Sequence, residues 1–331
     1  MGLLVAGEWR DEWYDTEGNA GEFVRSEAGF RSWITPDGSA GPSGQGGFVA
    51  EPGRYRLYVS YACPWAHRTL LARALEGLEA IIPISVVHYL MGAEGWTFEP
   101  AEDVVPDPVL GATRLHQIYT AARADFTGRV TVPVLWDTQR ETIVSNESSE
   151  ILRMFDTAFD GLGARGLDLR PDDLHDEIDA TNTLVYDAIN NGVYKAGFAT
   201  RQAVYERHVH RLFDVLDQLE ERLGRRRWLC GERFTEADVR LFPTLLRFDP
   251  VYHGHFKCNL RRIQDYPHLS GYVRDVFQLP GVAETIRMEH VVRHYYGSHD
   301  SINPTRIVPI YRGEDLSSPH GREALGESPL S

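Results

Sequence analysis

The chain has 331 residues, of which 42% are hydrophobic and 25% are charged, an ordinary composition for a globular protein with room for two domains. Its 48 acidic residues outnumber 34 basic ones and give a net charge of −14, which argues against a nucleic-acid-binding surface. No apolar run is long enough to span a membrane, and the N-terminus lacks the long apolar stretch of a signal peptide. We therefore expect a cytoplasmic protein that binds neither nucleic acid nor membrane.

The three cysteines, Cys63, Cys230 and Cys258, are widely and irregularly spaced. They form neither a disulfide framework nor a zinc-binding pattern, so the sequence predicts no bound metal. Unpaired thiols suit a reducing compartment. Cys230 and Cys258 stand in contexts without any sign of chemistry, and we expect both to be structural.

Residues 1–53 are rich in glycine, serine and aromatic residues, which predicts an irregular arm rather than a domain. Regular structure begins with the alternating segment RYRLYVS at 54–60, which is typical of a strand. Apolar residues then recur with helical spacing over 65–78, and a second apolar run, IIPISVVHYL, follows at 81–90. This strand–helix–strand order indicates the start of a small α/β domain.

The segment 91–128 is polar, contains proline and exceeds the usual length of a connection, so we expect it to be functional. RVTVPVLWD at 129–137 and TIV at 142–144 predict two short strands. Serine and asparagine residues, followed by an acidic turn and an apolar stripe, predict a helix over 145–159. The stretch 160–173, rich in glycine and aspartate, marks a domain boundary.

From 174 to about 290 the pattern is mostly helical. The long amphipathic runs lie at 174–190, 201–223 and 235–248. Thr235 and Asp238 have the spacing of an N-terminal helix cap. After residue 290 we expect a polar, proline-containing tail on the surface.

The stretch YVSYACPWAHRTL, at 58–70, places Cys63 where a strand gives way to a helix. Pro64 supports this position, because proline is favoured in the first turn of a helix. The unpaired N–H groups and the positive dipole end of a helix start can lower the pKa of a thiol by one or more units. His67 and Arg68 add positive charge to the same turn. We therefore expect a reactive thiolate at Cys63 rather than the inert buried cysteine that a lone thiol usually is.

Ala66 occupies the position where a dithiol enzyme would carry its second cysteine. Because no neighbouring thiol can resolve a mixed disulfide formed by Cys63, a separate thiol molecule must do so. The sequence therefore predicts monothiol exchange with an external reductant.

Three motifs, CPWAHR after a strand, TVPVLWD and SNESSEI, resemble the glutathione transferase superfamily. Further segments resemble more specifically the glutathionyl-hydroquinone reductases, also called Xi-class glutathione transferases. They are GWTF (95–98), GRVTVPVLWD (128–137), IVSNESSEI (143–151), NNGVYKAGFA (190–199), RFDPVYHGHFKCN (247–259) and HYYGSHDSINPT (294–305). CPWAHR alone is shared with other cysteine-type transferases, whereas the combination is highly specific and extends over nearly the whole chain.

The resemblance implies a thioredoxin-like α/β N-terminal domain followed by an all-α C-terminal domain. We expect an N-terminal arm at 1–53, a glutathione-binding domain at 54–160, an all-helical domain at 172–290 and a C-terminal tail at 291–331. The resemblance also implies a homodimer.

The resemblance further implies a two-step thiol exchange at Cys63. Cys63 attacks the sulfur of a glutathionyl-hydroquinone, the hydroquinone leaves, and a mixed disulfide between the enzyme and glutathione remains. A second glutathione then attacks this disulfide and releases oxidised glutathione. Glutathione is thus a co-substrate, and the reaction needs no permanently bound cofactor.

Several residues are implied to contact glutathione. The family pattern makes Val132–Pro133 a cis-proline junction whose backbone meets the cysteinyl part of glutathione, and it makes Glu147 and Ser148 hold the γ-glutamyl part. From the sequence alone, a plain helix-capping cluster explains Glu147 and Ser148 equally well. Arg129 can also meet a carboxylate of glutathione. The full set is Trp96, Arg129, Val130, Thr131, Val132, Pro133, Glu147 and Ser148.

The second half of the chain is implied to supply three active-site tyrosines, Tyr194, Tyr252 and Tyr295. Tyr194 would give a proton to the departing aromatic carbon. Tyr252 and Tyr295 would donate hydrogen bonds to the Cys63 thiolate. Tyr296 remains an alternative to Tyr295, and from spacing alone each tyrosine is more often a half-buried packing residue.

Other functions stay open at this point. A general cysteine-type glutathione thioltransferase or dehydroascorbate reductase would share Cys63 and the glutathione site but not the tyrosine set. A non-catalytic interaction module on a transferase scaffold would have an ordinary thiol at Cys63. A redox-regulated zinc protein is disfavoured, because no cysteines and histidines have the spacing of ligands.

Overall fold

A computed structural model describes residues 2–42, 44, 46–311 and 313–330. These residues form two compact units, neither of which is one continuous piece of chain. The first, here called the sheet unit, comprises 2–13, Arg25–Leu167 and Arg287–Ser298, and the second, the helical unit, comprises Tyr14–Val24, Asp168–Ile286 and 299–330. The units divide the chain differently from the predicted domains; for example, 14–24 of the arm lies in the helical unit, and 287–298 lies in the sheet unit.

A four-stranded sheet forms the centre of the sheet unit. Its elements in chain order are β5 (Tyr55–Val59), α1 (Pro64–Leu75), β6 (Ile84–Val86), α2 (Leu115–Ala122), β8 (Val134–Asp137), β9 (Thr142–Ser145) and α3 (Ser148–Thr157). The strand order is β6-β5-β8-β9, with β5 parallel to β6 and β8 antiparallel to both β5 and β9. This arrangement is thioredoxin-like, and it confirms the predicted strand–helix–strand start and the two strands after residue 129.

Helix α2 was not predicted, and it lies inside the long segment that the sequence marked as functional. Its buried residues are Leu115, Ile118 and Tyr119, which form one face of the helix. Eight residues give only about two turns, too few for the periodicity to stand out in a polar segment.

The expectation of an irregular N-terminal arm needs correction, because the arm contains four short strands. They are β1 (Leu3–Val5), β2 (Glu8–Arg10), β3 (Trp33–Thr35) and β4 (Gly47–Val49). β1 pairs with β2 and also with β7 (Gly128–Arg129), far along the chain, whereas β3 pairs in parallel with β4. Strands of three residues show almost no alternation, and their partners cannot be read from local sequence.

The helical unit confirms the predicted amphipathic helices. It contains α4 (His175–Val185), α5 (Gly192–Gly197), α6 (Gln202–Leu223), α7 (Glu236–Arg247) and α8 (Pro267–Phe277), with π-helical segments at Tyr186–Asn190 and Phe248–Tyr252. The predicted cap at the start of α7 is also confirmed. The N–H of Thr235 donates to Oδ2 of Asp238 at 2.9 Å, and both residues are buried.

The last helix, α9 (Met288–Ser298), corrects the predicted tail, whose expected start at residue 291 lies inside this helix. Its buried positions are His290, Val291, Val292, His294 and Tyr295. Much of this buried face consists of histidine and tyrosine, which count as polar on a hydropathy scale. The helix is therefore amphipathic although its sequence looked polar. In the described part of the chain, no helix is both long and apolar enough to cross a membrane.

Candidate active site

Cys63 is the residue immediately before α1, as the sequence predicted. Its backbone is extended (φ −78°, ψ 121°), Pro64 is the first helical residue, and the carbonyl of Cys63 accepts the N–H of His67 at 3.0 Å. The side chain does not cap the helix and is partly exposed. The thiol therefore lies at the positive end of α1, where a negative charge is stabilised.

The sulfur of Cys63 faces a segment 69 residues further along the chain. Its thiol donates to the carbonyl oxygen of Val132 at 3.5 Å. The Val132–Pro133 peptide bond is cis, as the resemblance implied. The structure thus places the thiol beside the backbone of the cis-proline junction.

Two arginine guanidinium groups lie close to the start of α1. His67 and Arg68 are both buried in the first turn, as part of the helix that the sequence predicted. The Arg68 guanidinium lies 4.6 Å from the centre of the Trp65 ring, and the Arg25 guanidinium lies 4.8 Å from it. The sequence did not indicate Arg25, because it comes from the N-terminal arm and no local pattern links it to Trp65.

Trp96 and Tyr295 are connected through a histidine that the sequence did not single out. The ring of His294 stacks on Trp96 at 4.8 Å with an angle of 22°, and Tyr295 meets His294 edge-on at 5.2 Å. Nδ1 of His294 is 2.8 Å from the carbonyl oxygen of Tyr89, so it carries the proton and donates. Tyr295 is buried in the unit that contains Cys63, whereas Tyr296 is partly exposed.

The segment before the cis-proline is held by side-chain hydrogen bonds. The guanidinium of Arg129 donates to the carbonyl oxygens of Glu12 and Trp13, at 2.8 Å for Trp13, so in this structure it binds the arm. Val130 is buried. The backbone carbonyl and N–H of Thr131 are both hydrogen-bonded to the hydroxyl of Tyr119. The sequence did not single out Tyr119.

Glu147 and Ser148 lie at the start of α3. Glu147 is the capping residue, and its Oε1 accepts the N–H of Ser149 at 3.0 Å and the Ser149 hydroxyl at 2.9 Å. Ser148 is the first helical residue and is buried. Glu147 therefore caps α3, and both capping hydrogen bonds go to one of its two carboxylate oxygens.

Tyr194 and Tyr252 meet in the helical unit. Tyr194 lies in α5 and Tyr252 ends a π-helical segment, and their ring centres are 6.1 Å apart. Phe256 stacks on Tyr252 and meets Tyr194 edge-on, both at 5.5 Å. Phe23, from the arm, stacks on Tyr194 at 6.2 Å. These aromatic contacts fix both phenol rings.

The other two cysteines differ from Cys63, and none of the three forms a disulfide. Cys230 and Cys258 are fully buried. Burial raises the pKa of Cys230 to about 11 and raises the pKa of Cys258 still further. Both thiols are therefore protonated at neutral pH, as expected for structural cysteines. Within the described residues, no three His, Cys, Asp or Glu side chains are grouped as metal ligands would be.

Models of two protein domains match the chain. The glutathione S-transferase N-terminal domain matches residues 62–158, and the glutathione S-transferase C-terminal domain matches residues 202–275. The first match contains the Cys63 and Val132 segments and most of the thioredoxin-like elements. The chain belongs to the glutathione transferase superfamily.

Relatives with full-length similarity narrow this assignment to the Xi class, the glutathionyl-hydroquinone reductases. The glutathionyl-hydroquinone reductase YqjG of Escherichia coli (strain K12) is 53% identical over 324 residues, covering 98% of this chain and 99% of the relative. The glutathionyl-hydroquinone reductase PcpF of Sphingobium chlorophenolicum is 54% identical over 316 residues, covering 96% of this chain and 98% of the relative.

Solved structures agree with the assignment. The glutathione-bound structure of Escherichia coli K-12 YqjG has a TM-score of 0.89 at 50% identity, covering 97% of this chain and 99% of that chain. A Xi-class glutathione transferase from Natrialba magadii has a TM-score of 0.90 at 45% identity, covering 98% of both chains.

The contrast among the cysteines generates a first prediction. In the native protein at pH 6, iodoacetamide should alkylate Cys63 at least about tenfold faster than free cysteine, because the helix start stabilises the thiolate. Cys230 and Cys258 should remain unlabelled, since they are buried and protonated. Peptide mapping by mass spectrometry gives the three rates separately. Labelling of Cys63 no faster than that of free cysteine would show an ordinary thiol.

Proposed function

We propose that this protein reduces glutathionyl-hydroquinones to hydroquinones with glutathione, through a mixed disulfide on Cys63. The observation that carries the proposal is the position of the thiol at the start of α1, 3.5 Å from the carbonyl oxygen of Val132. The full-length similarity to relatives named for this activity supports the same reaction.

In the first step, the Cys63 thiolate attacks the thioether sulfur of the substrate. A disulfide bond to glutathione forms while the bond between that sulfur and the ring carbon breaks, and the electron pair stays on the carbon. A carbanion leaves poorly, so a proton must reach the carbon as the bond breaks. We assign this proton to the hydroxyl of Tyr194. The ring is reduced, and the two sulfurs are oxidised to the disulfide.

In the second step, the thiolate of another glutathione attacks the glutathione sulfur of the mixed disulfide. Cys63 leaves as a thiolate, and oxidised glutathione is released. The proton lost by this glutathione restores the Tyr194 hydroxyl. The positive end of α1 stabilises Cys63 both as nucleophile and as leaving group, so one local feature serves both steps.

Glutathione would lie along the edge of the sheet unit. Its cysteinyl part would pair with the backbone of Val132, and its γ-glutamyl part would lie at the start of α3, where helix N–H groups bind the carboxylate. The second carboxylate oxygen of Glu147 would receive the ammonium group. Trp96 would pack against the peptide, and Arg129 would act by holding its own backbone segment.

The two remaining tyrosines are assigned to the thiolate. Tyr252 and Tyr295 would donate hydrogen bonds to the sulfur of Cys63 and so favour its charged form. The aromatic contacts of Tyr252 and the burial of Tyr295 support this assignment, because a fixed phenol loses little entropy when it donates.

We further propose that the protein is a cytoplasmic homodimer whose small-molecule partners are glutathione and glutathionyl-hydroquinones. Three thiols without a disulfide suit a reducing compartment that supplies glutathione. The dimer rests on the resemblance to the Xi class. The acidic net charge of −14 is unfavourable for binding nucleic acid.

A turnover assay tests the reaction itself. With glutathione and a glutathionyl-benzohydroquinone, the wild-type protein should release hydroquinone continuously. Cys63→Ser should abolish release, because a serine hydroxyl forms no disulfide. Cys230→Ala is the matched control and should retain turnover, since Cys230 is buried and protonated. High-performance liquid chromatography of the released hydroquinone gives the rate.

A general thioltransferase is the second candidate, because Cys63 and the Val132 backbone would serve it equally well. Reduction of hydroxyethyl disulfide with glutathione separates the two functions. Efficient reduction of this disulfide without any hydroquinone release would replace the proposed reaction by thioltransferase chemistry.

The role of Tyr194 gives a further prediction. Tyr194→Phe should slow hydroquinone release, the first step, by roughly 10²-fold, a typical contribution of general-acid catalysis to a rate. It should leave reduction of the mixed disulfide, the second step, nearly unchanged. Tyr186→Phe is the control, since Tyr186 is exposed on the helical unit. Single-turnover mixing without free glutathione measures the first step, and reduction of the isolated mixed disulfide measures the second. Equal slowing of both steps would contradict the assigned proton transfer.

A further inference from the structure

One buried hydroxyl holds both backbone groups of Thr131. The hydroxyl of Tyr119 donates to the Thr131 carbonyl oxygen at 2.8 Å and accepts the Thr131 N–H at 3.2 Å. Thr131 lies in the gap between β7, which ends at Arg129, and β8, which begins at Val134. Backbone groups outside a sheet need other partners, and here a side chain from α2 supplies them.

The same hydroxyl accepts a third hydrogen bond, from Nδ2 of Asn146 at 3.1 Å. One donor and two acceptor positions are all that a phenol offers, so its capacity is fully used. Asn146 is itself fixed by Phe30, whose N–H donates to Oδ1 at 3.0 Å and whose carbonyl accepts the Asn146 N–H at 3.1 Å. The Tyr119 ring is fully buried against Phe30 and Phe126.

These bonds link the two segments assigned to glutathione. Thr131 directly precedes Val132, and Asn146 directly precedes the α3 cap at Glu147. The peptide between Thr131 and Val132 is planar and trans, so a Thr131 carbonyl directed at Tyr119 turns the Val132 N–H to the opposite side. The hydroxyl thereby fixes both the orientation of the Val132 backbone and its separation from the start of α3.

We propose that Tyr119 is a positioning residue for glutathione. Through its bonds to Thr131 and Asn146, it keeps the Val132 backbone and the start of α3 at the separation and orientation that glutathione binding requires. This role rests on the proposed function. Burial raises the pKa of Tyr119, which keeps the phenol neutral and able to donate and accept at once.

The test is the affinity for S-methylglutathione, a thioether that resembles the substrate and cannot form a disulfide. Tyr119→Phe should raise its dissociation constant, measured by calorimetry, about tenfold. The same variant should raise the KM for glutathione in the second step, and saturating glutathione should restore kcat. Cys230 and Cys258 should remain unlabelled by iodoacetamide, because both are buried, and a general loosening of the fold would expose them.

Tyr58→Phe is the matched control. Tyr58 is equally buried in the same unit, and its hydroxyl donates to Asp107 at 2.8 Å instead of to the glutathione segments. It should lower thermal stability without weakening S-methylglutathione binding. The positioning role of Tyr119 would be wrong if Tyr119→Phe bound S-methylglutathione as tightly as the wild type, or if Tyr58→Phe lost as much affinity as Tyr119→Phe. Neither result would contradict the proposed function. Failure of the wild type to bind S-methylglutathione would overturn the proposed function as well.

Asn146→Ala gives an independent arm if Tyr119→Phe folds poorly. It removes the bond to the Tyr119 hydroxyl and the bond from the Phe30 N–H, and it leaves both bonds between Tyr119 and Thr131, so it should raise the dissociation constant by roughly threefold. In combination with Tyr119→Phe, the two effects should be less than additive, because both act through one hydroxyl. Wild-type affinity in Asn146→Ala, or full additivity of the two changes, would contradict the network.

Discussion

The position of one sulfur atom at the start of a helix is the constraint on which the rest depends. Cys63 is the last residue before α1, and its thiol faces the Val132 carbonyl beside the cis-proline. A helix start favours negative charge, whereas burial disfavours it, as the raised pKa values of Cys230 and Cys258 demonstrate. Cys230 and Cys258 are buried, whereas Cys63 is partly exposed at a helix start, and this difference underlies the role proposed for Cys63.

The groups assigned to the reaction come from many parts of the chain. The Val132 segment is held by Tyr119, and the Trp96 ring is held by His294 from the last helix of the sheet unit. The helical unit fixes Tyr194 and Tyr252 in an aromatic cluster that includes Phe23 of the arm. Short elements without a strong pattern of their own therefore position most of the groups assigned to glutathione and to the proton transfer.

The sequence predicted the elements whose signals are local. The Cys63 junction was predictable because Cys-Pro follows an alternating strand, and α6 and α7 were predictable because several turns repeat one apolar face. The strands of the arm and helix α2 were not predictable because they are short, and the full length of α9 was not predictable because histidine and tyrosine form much of its buried face.

Tyr119, Arg25 and His294 were missed for another reason. Each contacts residues that are separated from it along the chain, and a single sequence does not show which separated residues lie together. The cis bond at Pro133 followed only from the resemblance.

The most direct test of the account is to mix the protein with a glutathionyl-benzohydroquinone in the absence of free glutathione. Intact-mass and peptide analysis should then find one glutathione attached to Cys63 and one equivalent of hydroquinone in solution, after which the reaction stops. Hydroquinone released without any adduct on Cys63, or an adduct on another residue, would contradict the mechanism.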